Sequence, residues 1–461
     1  MNVESYQEFL QNKLQLGGDH GFEPIWMPDF LFDFQKHLLS WAQLKGKAAI
    51  FADCGLGKTP LQLVWAQNII QKENKPVLVI TPLAVSAQTI REGEKFNIEC
   101  VRSKEGAVAG NKIIVTNYER LHYFNPADFV AVVCDESSAI KAFDGKRRKL
   151  VTRFLSKMKY RLLCSATPSP NDHIELGASS ECLGELNQSE MLSTFFKSSD
   201  NARHSLFKEG DFWNNQKWFF KAHAELPFWR WVCSWARAIR KPSDLGDYDD
   251  TPFQLPELNI EQHIVEHDKL LPGELFPVIA KTLREQRVER RISIQERCEY
   301  VANLIKHDKP AVVWCQYNDE GDYLEKIIPD CVQVAGCTED DLKEERLNAF
   351  TLGQVRVMVI KPKIGAWGLN WQHCGHHTFF PSHSFEQFYQ SVRRSWRFGR
   401  VGAVNVDVIA TKGEEGVTEN LKAKQVKVEK MFISLVAEMN NVLRIESENK
   451  HINEMELPSW D

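Results

Sequence analysis

The stretch ADCGLGKT (52–59) follows the apolar run AAIF (48–51) and precedes PLQLVWAQNII (60–70), which has the spacing of an amphipathic helix. A strand, a glycine loop and a helix in this order present backbone N–H groups at a helix N-terminus, where phosphate oxygens bind. The glycines allow the tight loop, the lysine can reach the β and γ phosphates, and the threonine hydroxyl can ligate Mg²⁺. The stretch therefore predicts a nucleoside triphosphate site with contacts from Gly55, Leu56, Gly57, Lys58 and Thr59.

Further apolar runs of strand length follow this loop, separated by helix-like sequence: KPVLVITP, NKIIVTNY, FVAVVCDE and YRLLCSATP. Runs that are apolar throughout predict parallel strands covered by helices on both faces. A second series begins after residue 290 and comprises PAVVWCQY, CVQVAG, VRVMVI, HHTFFPS and VNVDVIA, followed by a long amphipathic helix near 415–445. The pattern predicts an α/β protein with two tandem parallel-sheet lobes, whose ligands bind at the carboxyl ends of the strands.

The segment between the two series differs in composition. Residues 177–260 are rich in tryptophan and polar residues, and they show no sheet pattern. We predict a first lobe over 1–176, a mainly helical insertion and linker over 177–270, a second lobe over 271–446, and an acidic tail over 447–461. Tryptophans at helical spacing favour core packing over the stacking of bases. The run HCGHH (373–377) is interpreted as a loop, because its side chains crowd one short turn and do not easily form a tetrahedral zinc site.

Composition limits the classes of function. The net charge of −5 over 461 residues gives no global signature of nucleic-acid binding, so a site for nucleic acid would be local, as in GKRRKLVTRFLSKMKYR (145–161) or LREQRVERR (283–291). The 11 cysteines include no CxxC pair, which favours free thiols in a reducing compartment. No apolar run reaches membrane-spanning length and the N-terminus lacks the order of a secretory signal, so we expect no membrane partner and a cytoplasmic location.

A second acidic site follows the strand FVAVVC. Asp135 at the strand tip can hold Mg²⁺ opposite Thr59, and Glu136 is placed to activate the attacking water. A glutamate in that position indicates hydrolysis of the nucleotide rather than phosphoryl transfer to a metabolite.

The order AxxGxGKT, DExx, SATP resembles that of superfamily 2 helicases. The variant DESSAIK (135–141), the upstream NYERL (117–121) and the early LFDFQKHLLSWA (31–42) are similar to the Swi/Snf-like branch of double-stranded DNA translocases. More specifically, the chain resembles compact phage and prophage helicases of DEAD/DEAH type in that branch, over roughly residues 28–176 and 290–412. This resemblance implies two RecA-like lobes that clamp ATP and Mg²⁺ between them.

The second block carries further motifs by resemblance. KPKIGAWGLNWQ (361–372) looks like the motif V loop, with Gly368 and Asn370 near the nucleotide, and EQFYQSVRRSWRFGR (386–400) looks like motif VI. We expect Arg394 and Arg397, at i and i+3 on one helix face, to stabilise charge on the transferring phosphoryl group. The resemblance also implies ATP recognition by Gln35, coupling through Ser165, Thr167 and Gln390, and nucleic-acid contacts from Thr81, Pro82, Asn117 and Lys361. The run RRSWRFGR (393–400) is also basic enough to form a nucleic-acid patch, and we assign Arg393 to that role.

These expectations predict a nucleic-acid-stimulated ATPase that moves along DNA, specifically duplex DNA, in a bacterial cytoplasm or a phage-infected cell. Two alternatives stay open at this point. An RNA helicase of the same superfamily would be stimulated by RNA, and a non-motor binding module would use ATP only as a conformational latch. The latch would not need the hydrolytic residues Glu136, Arg394 and Arg397.

Overall fold

The structure is a computed structural model. It describes residues 19–108, 110–142, 145–168, 173–198, 218–267, 283–365, 368–381, 384–414, 433 and 436–441. Among these residues, no helix has the length and apolar character needed to cross a bilayer.

The first lobe is built on a seven-stranded sheet, and all its neighbouring strands are parallel. Its spatial order is β3-β4-β2-β5-β6-β1-β9. The strands are β1 Lys47–Ala52, β2 Val77–Thr81, β3 Cys100–Arg102, β4 Ile113–Asn117, β5 Ala131–Cys134, β6 Tyr160–Ser165 and β9 Ala236–Ile239. The predicted phosphate loop follows β1 and the predicted acidic pair follows β5, so both lie at the carboxyl edge of one sheet on either side of β6.

The helices of this part of the chain cover both faces of the sheet. They are α1 Asp33–Lys45, α2 Lys58–Glu73, α3 Ser86–Lys95, α4 Ala139–Ala142, α5 Gly145–Leu155, α6 Leu176–Leu183, α7 Gln188–Phe195 and α8 Glu225–Trp235. Two hydrophobic cores result, one on each face. Every residue of β2, β4, β5 and β6 is buried, which explains the uninterrupted apolar runs in the sequence.

The second lobe has a six-stranded parallel sheet of order β10-β15-β14-β11-β13-β12. Its strands are β10 Leu258–Ile264, β11 Ala311–Trp314, β12 Cys331–Val334, β13 Val357–Ile360, β14 His376–Phe379 and β15 Val404–Ala410. Its helices are α9 Leu283–Ile292, α10 Ile294–Leu304, α11 Asn318–Ile327, α12 Asp340–Thr351, α13 Pro362–Gly365 and α14 Phe385–Val392. The predicted fold class, two tandem parallel-sheet lobes, is therefore confirmed.

The segment predicted as a mainly helical insertion contributes strands to both lobes. It contains α7 and α8, a two-stranded antiparallel sheet of β7 Phe196–Ser198 and β8 Trp218–Phe220, and the edge strands β9 and β10. The expectation that no sheet pattern runs through it was wrong for β9 and β10. Each has only one neighbouring strand. β9 is buried at three positions but is only four residues long, and no residue of β10 is buried, so neither presents the long buried apolar run of a central strand.

Tryptophans of this segment pack in the core, as predicted. Trp229, Trp231 and Trp235 on α8 are buried and belong to a hydrophobic core of the first lobe, which also includes Met439 from near the C-terminus. Trp213, the acidic tail 447–461 and most of the helix predicted near 415–445 lie outside the described residues.

All cysteines are free, and Cys337 is exposed. His376 and His377 of the HCGHH run belong to β14 rather than to a loop.

Candidate active site

The phosphate loop joins β1 to α2, and its backbone is left-handed at both glycines. Gly55 has φ of +90° and Gly57 of +77°, a conformation that side chains with a Cβ rarely adopt. A Cβ on Gly57 would lie 2.2 Å from Nε2 of Gln35, so the close approach also requires glycine. The Lys58 ammonium points back over the loop and donates to the carbonyls of Ala52 (2.8 Å) and Asp53 (3.2 Å). The loop thus holds a positive charge beside the free N–H groups at the start of α2.

Gln35 on α1 is tied to this loop. Its Nε2 donates to the carbonyl oxygen of Leu56 (2.9 Å), and its Oε1 accepts from the backbone N–H of Phe32 (3.0 Å). The side chain is buried and lines the same cavity as the loop glycines. Gln35 is therefore fixed at the edge of the predicted nucleotide site, and its reading of adenine stays a prediction.

The acidic pair lies beside the loop, at the tip of β5. Asp135 Oδ1 accepts a hydrogen bond from Gln62 Nε2 on α2 (2.7 Å), and the main-chain oxygen of Asp135 accepts from the Tyr118 hydroxyl (2.8 Å). Burial, with a contribution from the neighbouring Glu136 carboxylate, raises the pKa of Asp135 from 3.8 to about 6. A cation placed against a buried aspartate stabilises its ionised form.

The raised pKa predicts that Asp135→Asn stabilises the nucleotide-free protein. A carboxyl whose folded pKa exceeds its unfolded pKa contributes stability that is complete below the unfolded value and is lost as pH rises through about 6. Asparagine avoids this loss and keeps the oxygen that accepts from Gln62. We expect a gain on the order of 1–3 kcal/mol in the free energy of unfolding near neutral pH, shrinking to nothing below about pH 4. Denaturant titrations across this pH range measure it, with exposed Asp128→Asn as the control. Equal stabilities of parent and variant near neutral pH would contradict the prediction.

Glu136 has two unusual features. Its φ is +47°, in the left-handed region, which costs a residue with a Cβ about 1–3 kcal/mol and is typical of functional sites. The side chain is buried and its Oε2 has no hydrogen-bond partner within the described residues. The hydroxyls of Ser137 and Ser138 are buried without a partner in the same sense. Buried polar atoms are ordinarily paired, so this corner fits water, phosphate and a metal ion.

The second lobe supplies two arginines to the same place. Arg394 donates to Gln390 Oε1 (2.8 Å) and to the carbonyl of Leu369 (3.3 Å), and Arg397 donates to that carbonyl at 3.1 Å. Both follow the end of α14 at Val392, so the expectation that they share a helix face was wrong. They converge because Leu369, between Gly368 and Asn370, accepts from both. Burial lowers the pKa of Arg397 to about 10, which leaves the guanidinium charged at neutral pH.

The predicted coupling residues form a hydrogen-bonded chain across the lobes. Ser165 Oγ, at the end of β6, accepts from the backbone N–H of Thr167 (3.1 Å), and Thr167 Oγ1 accepts from Gln390 Nε2 (2.8 Å). Gln390 also accepts from Arg394, so this series of hydrogen bonds connects the tip of the first sheet to an arginine of the second lobe. The lobes approach closely here as well, because a Cβ on Gly368 would lie 2.0 Å from Cγ2 of Val85.

Arg393 does not fit the predicted contact with nucleic acid. Its guanidinium is fully buried between the lobes, 2.5 Å from Asp53 Oδ1 of the phosphate loop, and it lies over the rings of Tyr389, Trp396 and Phe398. Burial alone lowers the pKa of Arg393, but the Asp53 carboxylate reverses this and holds the pKa above its ordinary value. The sequence suggested a surface patch because RRSWRFGR is basic, whereas the acidic partner is more than three hundred residues away in the chain.

The other predicted nucleic-acid residues differ in accessibility. Thr81 and Asn117 are buried, and both use their side chains internally: Thr81 Oγ1 bonds Ser86 Oγ (2.9 Å), and Asn117 Oδ1 accepts from the Arg120 N–H (3.1 Å). Lys361 is half-buried and donates to Asn318 Oδ1 (2.6 Å). Pro82 is half-buried. Contacts of these four residues with nucleic acid stay predictions.

A cavity of about 310 Å³ brings the predicted nucleotide-site residues together. It lies between the lobes and is lined by predicted residues from both: Gln35, Gly55, Gly57, Lys58, Thr59, Asp135, Glu136, Gly368, Asn370, Arg394 and Arg397. Sequence reasoning missed Gln62, Asp53, Tyr389 and the facing rings of Phe253 and Phe398, which lie 5.8 Å apart. Only Asp53 carried a signal, as a carboxylate within the phosphate loop. The lining residues fit a nucleoside triphosphate with a divalent cation held by Thr59 and Asp135.

Comparison with known proteins adds one sequence match. No family model matches the chain. It is 26% identical over 157 residues to the DNA annealing helicase and endonuclease ZRANB3 of Mus musculus, a match that covers 30% of this chain and 14% of that protein. The chain therefore matches about one seventh of that relative's length.

Among solved structures, the chain matches the Sulfolobus solfataricus SWI2/SNF2 ATPase core in complex with dsDNA. The match covers 85% of this chain and 90% of that one, at 16% identity and a TM-score of 0.41, values too low to assign a function. The motif order and the ZRANB3 match agree with the resemblance found in the sequence, and the compact phage type stays a prediction. The chain thus resembles the superfamily 2 helicases of the Swi/Snf-like branch.

Proposed function

We propose that this protein is an ATP-dependent DNA helicase or translocase that couples ATP hydrolysis to movement along duplex DNA. The observation that carries the proposal is the single cavity in which Lys58, Asp135 and Glu136 of one lobe face Arg394 and Arg397 of the other. Hydrolytic residues split between two lobes connect the chemistry of the nucleotide to the relative position of the lobes.

Each residue has a separate role in this scheme. Lys58 and the N–H groups at the start of α2 hold the phosphates, Glu136 takes a proton from the attacking water, and Arg394 and Arg397 stabilise charge on the transferring phosphoryl group. A Mg²⁺ ion held by Thr59 and Asp135 would neutralise phosphate charge when bound. ATP binding closes the cleft between the lobes and hydrolysis reopens it, so each cycle shifts one lobe against the other.

The substrate class is tested by ATPase rates measured with no nucleic acid, duplex DNA, single-stranded DNA and duplex RNA. We expect the largest stimulation with duplex DNA, as the resemblance implies, and displacement of a third strand from a triplex would report translocation. Stimulation by RNA alone would favour the RNA helicase, and ATP binding without hydrolysis under any of these conditions would favour the latch. A cytoplasmic location, in a bacterium or a phage-infected cell, is part of the proposal.

DNA is proposed to follow a local basic surface that includes α5. Lys149 and Arg153 on this helix are exposed, whereas Val151, Phe154 and Leu155 face the core. The helix packs against the turn Tyr118–Tyr123, which directly follows Asn117. A basic helix face next to a predicted nucleic-acid residue supports this placement in a chain whose net charge is −5.

This surface predicts a steep dependence of DNA affinity on salt. Each phosphate contact contributes about −0.9 to the slope of log affinity against log salt concentration. The double variant Lys149→Ala, Arg153→Ala should therefore bind more weakly at low salt and show a slope shallower by up to about two. Lys326→Ala, which removes an exposed lysine from α11, serves as the control. If the DNA affinity of the parent does not change with salt concentration, the phosphate-contact model is wrong, and base stacking becomes the favoured mode of binding.

A further inference from the structure

An edge of the second lobe carries a cluster of histidine and carboxylate side chains apart from the nucleotide cavity. Glu261 and His263 lie on β10, Asp407 lies on the adjacent β15, and His376 lies on β14. Glu261 is the register partner of Asp407, so their side chains project from the same face of neighbouring strands. One ligand atom from each of Glu261, His263 and Asp407 lies within 4.8 Å of the other two.

One of the two carboxylates in this cluster has no partner of its own among the described residues. Like charges directly opposite each other on neighbouring strands destabilise a sheet. Asp407 accepts from His263 Nε2 (2.7 Å) and His376 Nε2 (2.5 Å), but the carboxylate of Glu261 has no hydrogen-bond or ion-pair partner in the described part of the chain. A cation between the two carboxylates would remove the repulsion.

Hydrogen bonds distinguish the two histidines as ligands. The backbone N–H of Lys309 donates to His307 Nδ1 (3.2 Å), so a neutral His307 carries its proton on Nε2 and donates it to His376 Nδ1 (2.6 Å). His376 must then carry its own proton on Nε2, where it donates to Asp407. This tautomer leaves His376 without a lone pair for a metal ion, and it acts as an orienting partner of Asp407.

His263 is not restricted in this way. Its Nδ1 lies 3.0 Å from the hydroxyl of Tyr300, and a hydroxyl can both donate and accept. The proton of His263 can therefore move to Nδ1 and be donated to Tyr300, which frees the Nε2 lone pair toward Asp407 and Glu261. A metal-binding imidazole whose other nitrogen donates to a fixed oxygen is the usual arrangement in metal sites.

We propose that Glu261, His263 and Asp407 bind a divalent transition-metal ion such as Zn²⁺, Co²⁺ or Mn²⁺. One imidazole and two carboxylates suit these ions, with the remaining positions taken by water. A polar cavity of about 470 Å³, lined by Glu261, His376 and Asp407 among others, leaves room for that water. The ion would join β10, the first strand of the second lobe, to β15 and so secure the edge where the chain enters this lobe.

Titration of the metal-free full-length protein with Co²⁺, followed by its visible absorption and by calorimetry, tests the proposal. We expect one site whose spectrum shows nitrogen and oxygen ligation and which Zn²⁺ displaces. Glu261→Gln, at an exposed position, should weaken binding more than tenfold, and Tyr300→Phe should weaken it by about 10–100-fold through loss of the orienting partner. Metal should raise the thermal midpoint of the parent but not of Glu261→Gln.

His267→Gln is the matched control. His267 pairs with Glu289 (2.8 Å) in the same lobe but outside the cluster, so this variant should bind Co²⁺ like the parent. Unchanged affinity in both Glu261→Gln and His263→Gln would overturn the proposal, as would thiolate-to-cobalt absorption that indicates cysteine ligands. ATP turnover of Glu261→Gln at the parental level verifies that the variant is folded.

Discussion

Replacing Glu136 by glutamine is expected to lower ATP turnover by about 10²–10⁴-fold, the usual contribution of a general base. The isosteric change removes the charge that activates water and leaves Lys58 and Asp135 in place to hold the phosphates and the metal ion. Glutamine fills the same buried space, where Oε2 of Glu136 has no hydrogen-bond partner within the described residues. ATP and DNA binding should therefore be retained.

The measurement is single-turnover hydrolysis together with nucleotide affinity for parent and variant. Glu94→Gln, an exposed glutamate on α3 of the same lobe, controls for the loss of one carboxylate. Weaker ATP binding without a change in the rate of the bound nucleotide would make Glu136 a positioning residue. A variant that hydrolyses ATP at the parental rate would remove it from the mechanism.

The first-lobe site could be predicted from sequence because its residues are tied to strand ends. Lys58 follows β1, Asp135 follows β5 and Ser165 ends β6, and the carboxyl ends of parallel strands meet at one edge. Contacts between residues that are far apart in the sequence and meet only in the folded protein could not be predicted. Nothing in the sequence pairs Asp53 with Arg393, and nothing marks Gln62 as the partner of Asp135, 73 residues later in the chain.

The features that were predicted wrongly or missed depend on contacts that only the folded lobes create. The interpretation of RRSWRFGR as partly a nucleic-acid patch failed for Arg393, since burial is a property of the assembled lobes and not of local charge. The edge strand β9 was missed because it is only four residues long, and β10 was missed because a strand with one neighbour need not be apolar on both faces. The cluster of Glu261, His263 and Asp407 was missed because it joins two segments separated by more than 140 residues.

Arg397→Ala should leave ATP affinity nearly unchanged, because the first lobe supplies most phosphate contacts, and turnover should nevertheless fall by about 10³–10⁵-fold, as for the loss of an arginine finger. Arg397 is positioned for this role by the Leu369 carbonyl, which also holds Arg394, and it remains charged because its pKa is lowered only to about 10. DNA should no longer stimulate the residual rate, since stimulation works by closing the lobes and bringing this charge to the phosphate.

Titrating duplex DNA against the ATPase rate separates this role from that of a basic patch. A patch residue would raise the DNA concentration needed for half-maximal stimulation but leave the maximal rate intact, whereas a finger residue lowers the maximal rate at every DNA concentration. Arg400→Ala is the matched control, because that guanidinium donates to main-chain carbonyls of Gln372 and Ala403 inside the second lobe. Recovery of Arg397→Ala at saturating DNA would refute the finger assignment. Loss of the maximal rate in Arg397→Ala, with Arg400→Ala near the parental rate, requires that both lobes act on one ATP.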